Sequence, residues 1–126
     1  MDTEGRVEVL RRAYQHFNDR DVDALLAMMT DDVEWPDVAN GTMLRGKEAI
    51  RRYWAGQFAV ADPRVEPTDF MEAGDDLVAV VDQRVTDLGG RPLAPPAVVY
   101  HRYAFAGDLV RRMLVFTDAD EAVQTP

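Results

Sequence analysis

Residues 33–54, VEWPDVANGTMLRGKEAIRRYW, are the most informative stretch of this chain. The first of them alternate as a short apolar strand that carries Trp35 and Asp37. A tight turn at Arg45-Gly46 follows, and after it comes an amphipathic helix. Two helices are expected before this stretch and only strands after it. That order of elements predicts one cone-shaped α+β domain with a ligand pocket.

Helical periodicity dominates the first half of the chain. Apolar side chains recur every three or four residues and predict a first helix over residues 4 to 19: Val7, Leu10, Tyr14 and Phe17. Asp21 is a candidate N-cap for a short apolar helix that contains Met28 and Met29 and ends at Thr30-Asp31-Asp32. A third helix is expected over residues 46 to 60.

From residue 64 onward the period of the apolar residues changes to two. Four strands are predicted over residues 64–73, 77–87, 96–106 and 109–118. Glycine turns separate them at Gly74-Asp75, Gly89-Gly90 and Gly107-Asp108. The sequence therefore predicts a curved antiparallel meander.

Composition narrows the class of protein and its partners. A chain of 126 residues with 47% hydrophobic residues is expected to form a single globular domain over residues 1–126. The net charge of −9 opposes phosphate backbones, so no nucleic-acid partner is expected. No window reaches the apolar length of a membrane span and the start lacks a leader pattern, so we expect a cytoplasmic protein without a membrane partner.

Missing residue types exclude several chemistries. The chain contains neither Cys nor Ser, which excludes disulfides, thiolate zinc sites and Ser or Cys nucleophiles. The two histidines, His16 and His101, are too far apart in the sequence to form a spaced metal motif. No glycine run has the strand–loop–helix context of a nucleotide cradle. No metal and no cofactor are therefore expected.

Two segments carry a family resemblance. DVDALLAMMTDDVEW, residues 21–35, and RGKEAIRRYW, residues 45–54, resemble the nuclear-transport-factor-2-like superfamily, and within it the SnoaL-like and ketosteroid-isomerase-like branch. The resemblance covers roughly residues 5 to 120. It implies a cystatin-like α+β barrel in which a curved antiparallel sheet wraps around helices and leaves an internal pocket. It also implies a homodimer that pairs through the sheet.

Asp37 is the candidate catalytic base. It lies nine residues before Gly46, the spacing at which ketosteroid isomerases place their base relative to the same turn. In that role it would move a proton next to a carbonyl. With a gap in the alignment, Trp35 takes the base position instead, and Asp37 becomes a carboxylate that caps the following loop.

His101 and Tyr103 are the candidate oxyanion-stabilising pair. The predicted strand places both on one face with Val99, near the position where the isomerases carry an oxyanion-hole acid. Their alternatives are a histidine at the dimer surface and a tyrosine in the core. The isomerases also carry an oxyanion-hole Tyr on the first helix, but here Ala13 takes that position, which leaves Tyr14 either as a ligand contact or as a packed ring.

The remaining candidates are ligand contacts. Polyketide cyclases of this branch place an acid/base Asp near the last strand, where this chain has Asp118, although Asp118 also fits a solvated strand end. Aromatic rings in pocket-forming positions predict an apolar ligand, with core packing as the alternative for each: Trp35, Tyr53, Trp54 and Phe58.

The sequence thus predicts a domain that binds a small apolar, carbonyl-bearing metabolite in an internal cavity. Catalysis, if present, would be cofactor-independent proton transfer of the isomerase or polyketide-cyclase type. The alternative is a non-catalytic ligand-binding or dimerisation domain of the same fold.

Overall fold

Four helices and six strands lie within residues 2–125, the part of the chain that the computed structural model describes. The described elements are α1 (Thr3–Asn18), α2 (Val22–Ala27), β1 (Met29–Asp37), β2 (Thr42–Arg45), α3 (Lys47–Val60), β3 (Asp62–Ala73), β4 (Asp76–Thr86), β5 (Ala97–Ala106), β6 (Leu109–Phe116) and α4 (Ala119–Gln124). The six strands form one curved sheet in the order β2-β1-β6-β5-β4-β3. The predicted α+β class is confirmed.

The second half of the sheet is the predicted meander. Strands β3 to β6 pair antiparallel with one another in chain order, and His101 of β5 lies opposite Ala79 of β4 and Val115 of β6. Gly107 adopts a φ of 62° in the β5–β6 hairpin, a conformation that glycine reaches at little cost. The predicted strand ranges agree with the observed ones to within two residues.

The first strand differs from the sequence prediction. Helix α2 ends at Ala27, so Met28 and Met29 are not helical, and β1 already begins at Met29. The cause is a long-range contact: β1 pairs parallel with β6, and the amide of Val110 donates to the carbonyl of Met28 at 3.0 Å. The prediction that Thr30-Asp31-Asp32 ends the helix was therefore wrong. Asp21 does cap α2, because its carboxylate accepts from the amide of Ala24 at 3.2 Å.

A fourth helix lies on the outer face of the sheet. Helix α4 buries Ala122 against Ala73 and Val78. Arg102 of β5 is buried beneath it, where its guanidinium donates to the carbonyls of Ala122, Val123 and Thr125 and pairs with Asp76 at 2.9 Å. The sequence prediction treated this segment as a strand end, so α4 was missed.

The main core lies between the inner face of the sheet and helices α1, α2 and α3. Its fully buried side chains come from both layers, among them Leu10, Val33, Ile50, Trp54, Val81 and Val110. No helix within residues 2–125 combines the length and the apolar character needed to cross a membrane.

Candidate functional site

A cavity of about 290 Å³ opens between the helices and the inner face of the sheet. Tyr14 of α1, Trp54 of α3 and Trp35 of β1 line it on one side, and β5 contributes His101 and Tyr103 on the other. Among the described residues that line it there is no Asp, Glu, Lys or Arg. The cavity is thus apolar with a few uncharged polar groups.

Three of those polar groups form one hydrogen-bonded network, the Tyr14–His101–Tyr103 network. The hydroxyl of Tyr103 donates to Oη of Tyr14 at 2.8 Å, and Oη of Tyr14 lies 2.8 Å from Nδ1 of His101. The Tyr14 and His101 rings stack with an interplanar angle of 18°. All three side chains are less than 10% exposed and all three line the cavity. We call the buried end that this network forms the floor of the cavity.

Burial fixes the protonation of this network. Desolvation lowers the pKa of His101 to about 4, and it raises the pKa of both tyrosines above the usual value. At neutral pH the imidazole is therefore uncharged and both hydroxyls are protonated.

The three groups then hold three donor protons, while the network contains two hydrogen bonds. One donor proton is consequently left over. When Tyr103 donates to Tyr14 and Tyr14 donates to His101, the spare donor is Nε2–H of His101. Among the described residues, two polar side-chain atoms are fully enclosed and lack a hydrogen-bond partner, Arg6 Nε and Thr30 Oγ1. Nε2 of His101 is not one of these enclosed atoms, so it keeps access to the cavity.

Local structure explains how the network assembles. The alternation of β5 directs Val99, His101 and Tyr103 to the inner face, as the sequence predicted. On α1, Ala13 and Tyr14 both line the cavity, so a rotation of one residue does not move Tyr14 off the inward face. The sequence offered Tyr14 as a ligand contact or a packed ring, and the structure places its hydroxyl at the centre of the network.

Aromatic rings form the wall above this floor. Trp35 and Trp54 meet edge to face with centroids 5.4 Å apart, and Tyr53 also lines the cavity. Phe58 does not line it: its ring packs on Phe17 and beneath the guanidinium of Arg20, 4.3 Å from the ring centroid. Three of the four predicted aromatic contacts are thus brought together.

Asp37 lies beside the cavity and does not line it. Its two carboxylate oxygens accept from the backbone amide of Asn40 at 3.3 Å and from the Asn40 side-chain amide at 2.8 Å. This is the loop-capping arrangement that the sequence left as the alternative. Burial raises the pKa of the cavity-lining Tyr53, and the charge of Asp37 raises it further. The role of Asp37 as a base stays a prediction.

Asp118 lies away from the other candidates. Its carboxylate accepts from the amide of Glu121 at 3.1 Å and caps α4 on the outer face of the sheet. It does not line the cavity, which corrects its prediction as a ligand contact.

Three polar residues that line the cavity were not among the predicted site residues: Gln57, Gln83 and Thr117. The signal was available for two of them. Gln83 shares a strand face with Val81 and Val85, and Gln57 lies three residues after Trp54 on α3.

A family model described as a SnoaL-like domain matches residues 10–113. The chain belongs to the SnoaL-like family. No curated protein matches this SnoaL-like chain significantly.

Several solved structures share the fold of this SnoaL-like chain. TerC co-crystallised with polyporic acid is 27% identical with a TM-score of 0.78, covering 90% of this chain and 92% of TerC. An NTF2-like protein of unknown function from Burkholderia pseudomallei is 21% identical with a TM-score of 0.78, covering 99% of this chain and 100% of that one. A putative ketosteroid isomerase from Kribbella flavida is 18% identical with a TM-score of 0.73, covering 93% and 80%. The last two likenesses show the fold alone.

Among residues 2–125 no group of three or more His, Asp or Glu side chains is arranged to hold a metal ion.

Proposed function

We propose that this SnoaL-like chain binds a neutral, largely apolar small molecule through a carbonyl oxygen. One observation carries the proposal: the Tyr14–His101–Tyr103 network holds one donor proton more than its internal hydrogen bonds use. This donor has no acceptor within the network, and a ligand carbonyl that enters the cavity supplies one.

The character of the cavity supports a neutral ligand. A charged group placed against the tryptophan wall would lose its hydration without meeting an opposite charge, because the lining residues carry none. The apolar wall favours a ring system over a polar chain. TerC was co-crystallised with polyporic acid, and this supports small-molecule binding in the present fold.

A test of the proposal compares two probes that differ in one carbonyl group, 4-phenylcyclohexanone and phenylcyclohexane. Trp35 and Trp54 are the two tryptophans of the chain and both line the cavity, so tryptophan fluorescence reports on its occupancy. We expect the ketone to bind about three- to tenfold more tightly, since a net hydrogen bond contributes about 0.5–1.5 kcal/mol.

Replacing His101 with Leu should weaken this preference, because it removes Nε2–H, and the hydroxyl of Tyr14 then faces the leucine side chain where Nδ1 of His101 had been. The matched control is His16→Leu, because His16 lies on α1 outside the cavity lining. Equal affinity of the two probes for the unmodified protein would contradict carbonyl recognition.

Proton transfer is the second candidate function, supported by the position of Asp37, a buried carboxylate between the cavity-lining residues Pro36 and Val38. In this reaction a proton leaves the carbon next to the carbonyl for the Asp37 carboxylate, which must first release Asn40. The electron pair of the broken C–H bond moves to the carbonyl oxygen, where the spare donor of the network stabilises the enolate. Return of a proton to the same carbon gives isotope exchange, and in an unsaturated ketone return to a different carbon of the conjugated enolate completes an isomerisation.

Exchange of the α-protons of 4-phenylcyclohexanone in D₂O, followed by proton NMR, measures this reaction directly. We expect exchange faster than in buffer, lost in Asp37→Asn with little change in ketone affinity, and kept in the exposed control Asp31→Asn. Binding without any exchange would leave a non-catalytic ligand-binding domain.

Pairing of two copies through the sheet also stays a prediction, which analytical ultracentrifugation measures.

A further inference from the structure

The end of the cavity opposite the network also carries polar groups. Gln57 of α3 and Gln83 of β4 are half-buried there, and Thr117 after β6 is exposed. Within residues 2–125, none of these three side chains takes part in a hydrogen bond. We call these residues the outer polar site.

Sheet register sets the distance between the two polar ends. Gln83 lies opposite Ala97, four residues before His101 along β5. At roughly 3.3 Å per residue, the two levels are about 13 Å apart along the strand direction. Thr117 follows Val115, which lies opposite His101, by two residues toward the same end.

Helix α3 brings its glutamine to this end as well. The helix leads into β3, where Pro63 pairs with Val85, two residues beyond Gln83. Gln57 therefore faces the cavity from the helix layer while Gln83 faces it from the sheet. Between them and the floor lies the apolar wall, so the cavity is polar at two separated points.

We propose that Gln57 and Gln83, with Thr117 beside them, bind a hydroxyl group at the far end of an elongated neutral ligand whose carbonyl reaches the network. This inference rests on the proposed function and specifies the ligand class. A primary amide both donates and accepts, and so it matches a hydroxyl, which also does both. The absence of charge along the described lining disfavours a carboxylate or an ammonium at the same place.

Calorimetry with 4-(4-hydroxyphenyl)cyclohexanone and 4-phenylcyclohexanone tests the outer polar site. These ketones differ only in the hydroxyl at the end opposite the carbonyl. We expect the hydroxyl to improve the dissociation constant about three- to tenfold in the unmodified protein. In Gln57→Met/Gln83→Met the improvement should vanish, while the affinity for 4-phenylcyclohexanone changes less than about threefold.

Gln15→Met is the matched control, because Gln15 is an exposed helical glutamine outside the cavity lining. Circular dichroism establishes that each variant folds. Equal affinity of the two ketones, or a hydroxyl advantage that persists in the double variant, would overturn the outer polar site while leaving carbonyl recognition intact.

A third probe separates the two proposals. 4-Cyclohexylphenol keeps the hydroxyl and lacks the carbonyl, so its advantage over phenylcyclohexane should also vanish in Gln57→Met/Gln83→Met and persist in His101→Leu. The reverse pattern would mean that the hydroxyl enters the network and that the glutamines bind nothing. Failure of carbonyl recognition alone appears as equal affinity of 4-phenylcyclohexanone and phenylcyclohexane.

Discussion

Replacing Tyr14 with Phe removes the hydroxyl at the middle of the Tyr14–His101–Tyr103 network. That hydroxyl accepts from Tyr103 and faces Nδ1 of His101, each at 2.8 Å. Its loss leaves two buried polar groups without their partner. Each such group costs about 1–3 kcal/mol, and because both groups line the cavity and are not sealed within the packed core, we expect about 2–3 kcal/mol in total.

Replacing Tyr103 with Phe should cost less. It removes a donor at the end of the network, and Tyr14 keeps its contact with His101. We expect about 0.5–1.5 kcal/mol, the net value of one hydrogen bond. The double variant contains no orphaned Tyr103 hydroxyl, so it should be less destabilised than the sum of the single variants by about 1 kcal/mol.

Urea unfolding at pH 7, followed by far-UV circular dichroism, measures these free energies. Tyr100→Phe is the control, because Tyr100 lies on the outer face of β5 next to the α4 cluster. The reasoning is refuted if Tyr103→Phe destabilises as much as Tyr14→Phe, or if the two changes are additive.

Two further predictions concern charge. The pKa of His101 is about 4 in the folded protein and near 6.5 in the unfolded chain, so the unfolded chain binds the proton more tightly. The contribution of His101 to the free energy of unfolding is therefore present above pH 6.5 and is lost as the pH falls toward 4. We expect the free energy of unfolding to fall by about 2 kcal/mol between pH 7 and pH 5 because of this group, and urea unfolding at the two pH values measures the change. The change should be absent in His101→Leu and kept in the control His16→Leu. Arg102→Met should lower the free energy of unfolding by about 3 kcal/mol, because it leaves Asp76 unpaired in a largely buried site. Because Arg102 also donates to α4, hydrogen exchange in this variant should show α4 opening before the sheet. Arg64→Met, which breaks an exposed ion pair with Asp62, should cost less than about 1 kcal/mol.

Local patterns predicted most of the fold. Alternation of apolar residues located β3 to β6, and it assigned Val99, His101 and Tyr103 to one face of β5. The Asp21 cap was also readable, because an N-cap depends on neighbours within three residues. These features are decided by short stretches of chain, so a sequence contains the information for them.

The details of the site depend on contacts that no local pattern encodes. Tyr14 and His101 are 87 residues apart in the sequence, so their hydrogen bond follows only from the packing of α1 on the sheet. Strand alternation directs Asp37 inward with Trp35, but at the end of β1 the amide groups of Asn40 hold its carboxylate. Helix α4 has six residues and is stabilised by Arg102, which lies beneath it in β5, so its sequence alone resembles a solvated end.

The parallel pairing of β1 with β6 has a consequence for how the chain folds during synthesis. Met29 lies opposite Val110, and β6 also connects β1 to the rest of the sheet. Until β6 has left the ribosome, β1 and β2 have no place in the sheet, and their apolar faces stay uncovered. Such distant pairing raises the contact order and slows folding. The cavity can therefore form only after β6 has been synthesised. A ligand that needs the cavity binds only the fully synthesised domain and does not stabilise the first helices before then.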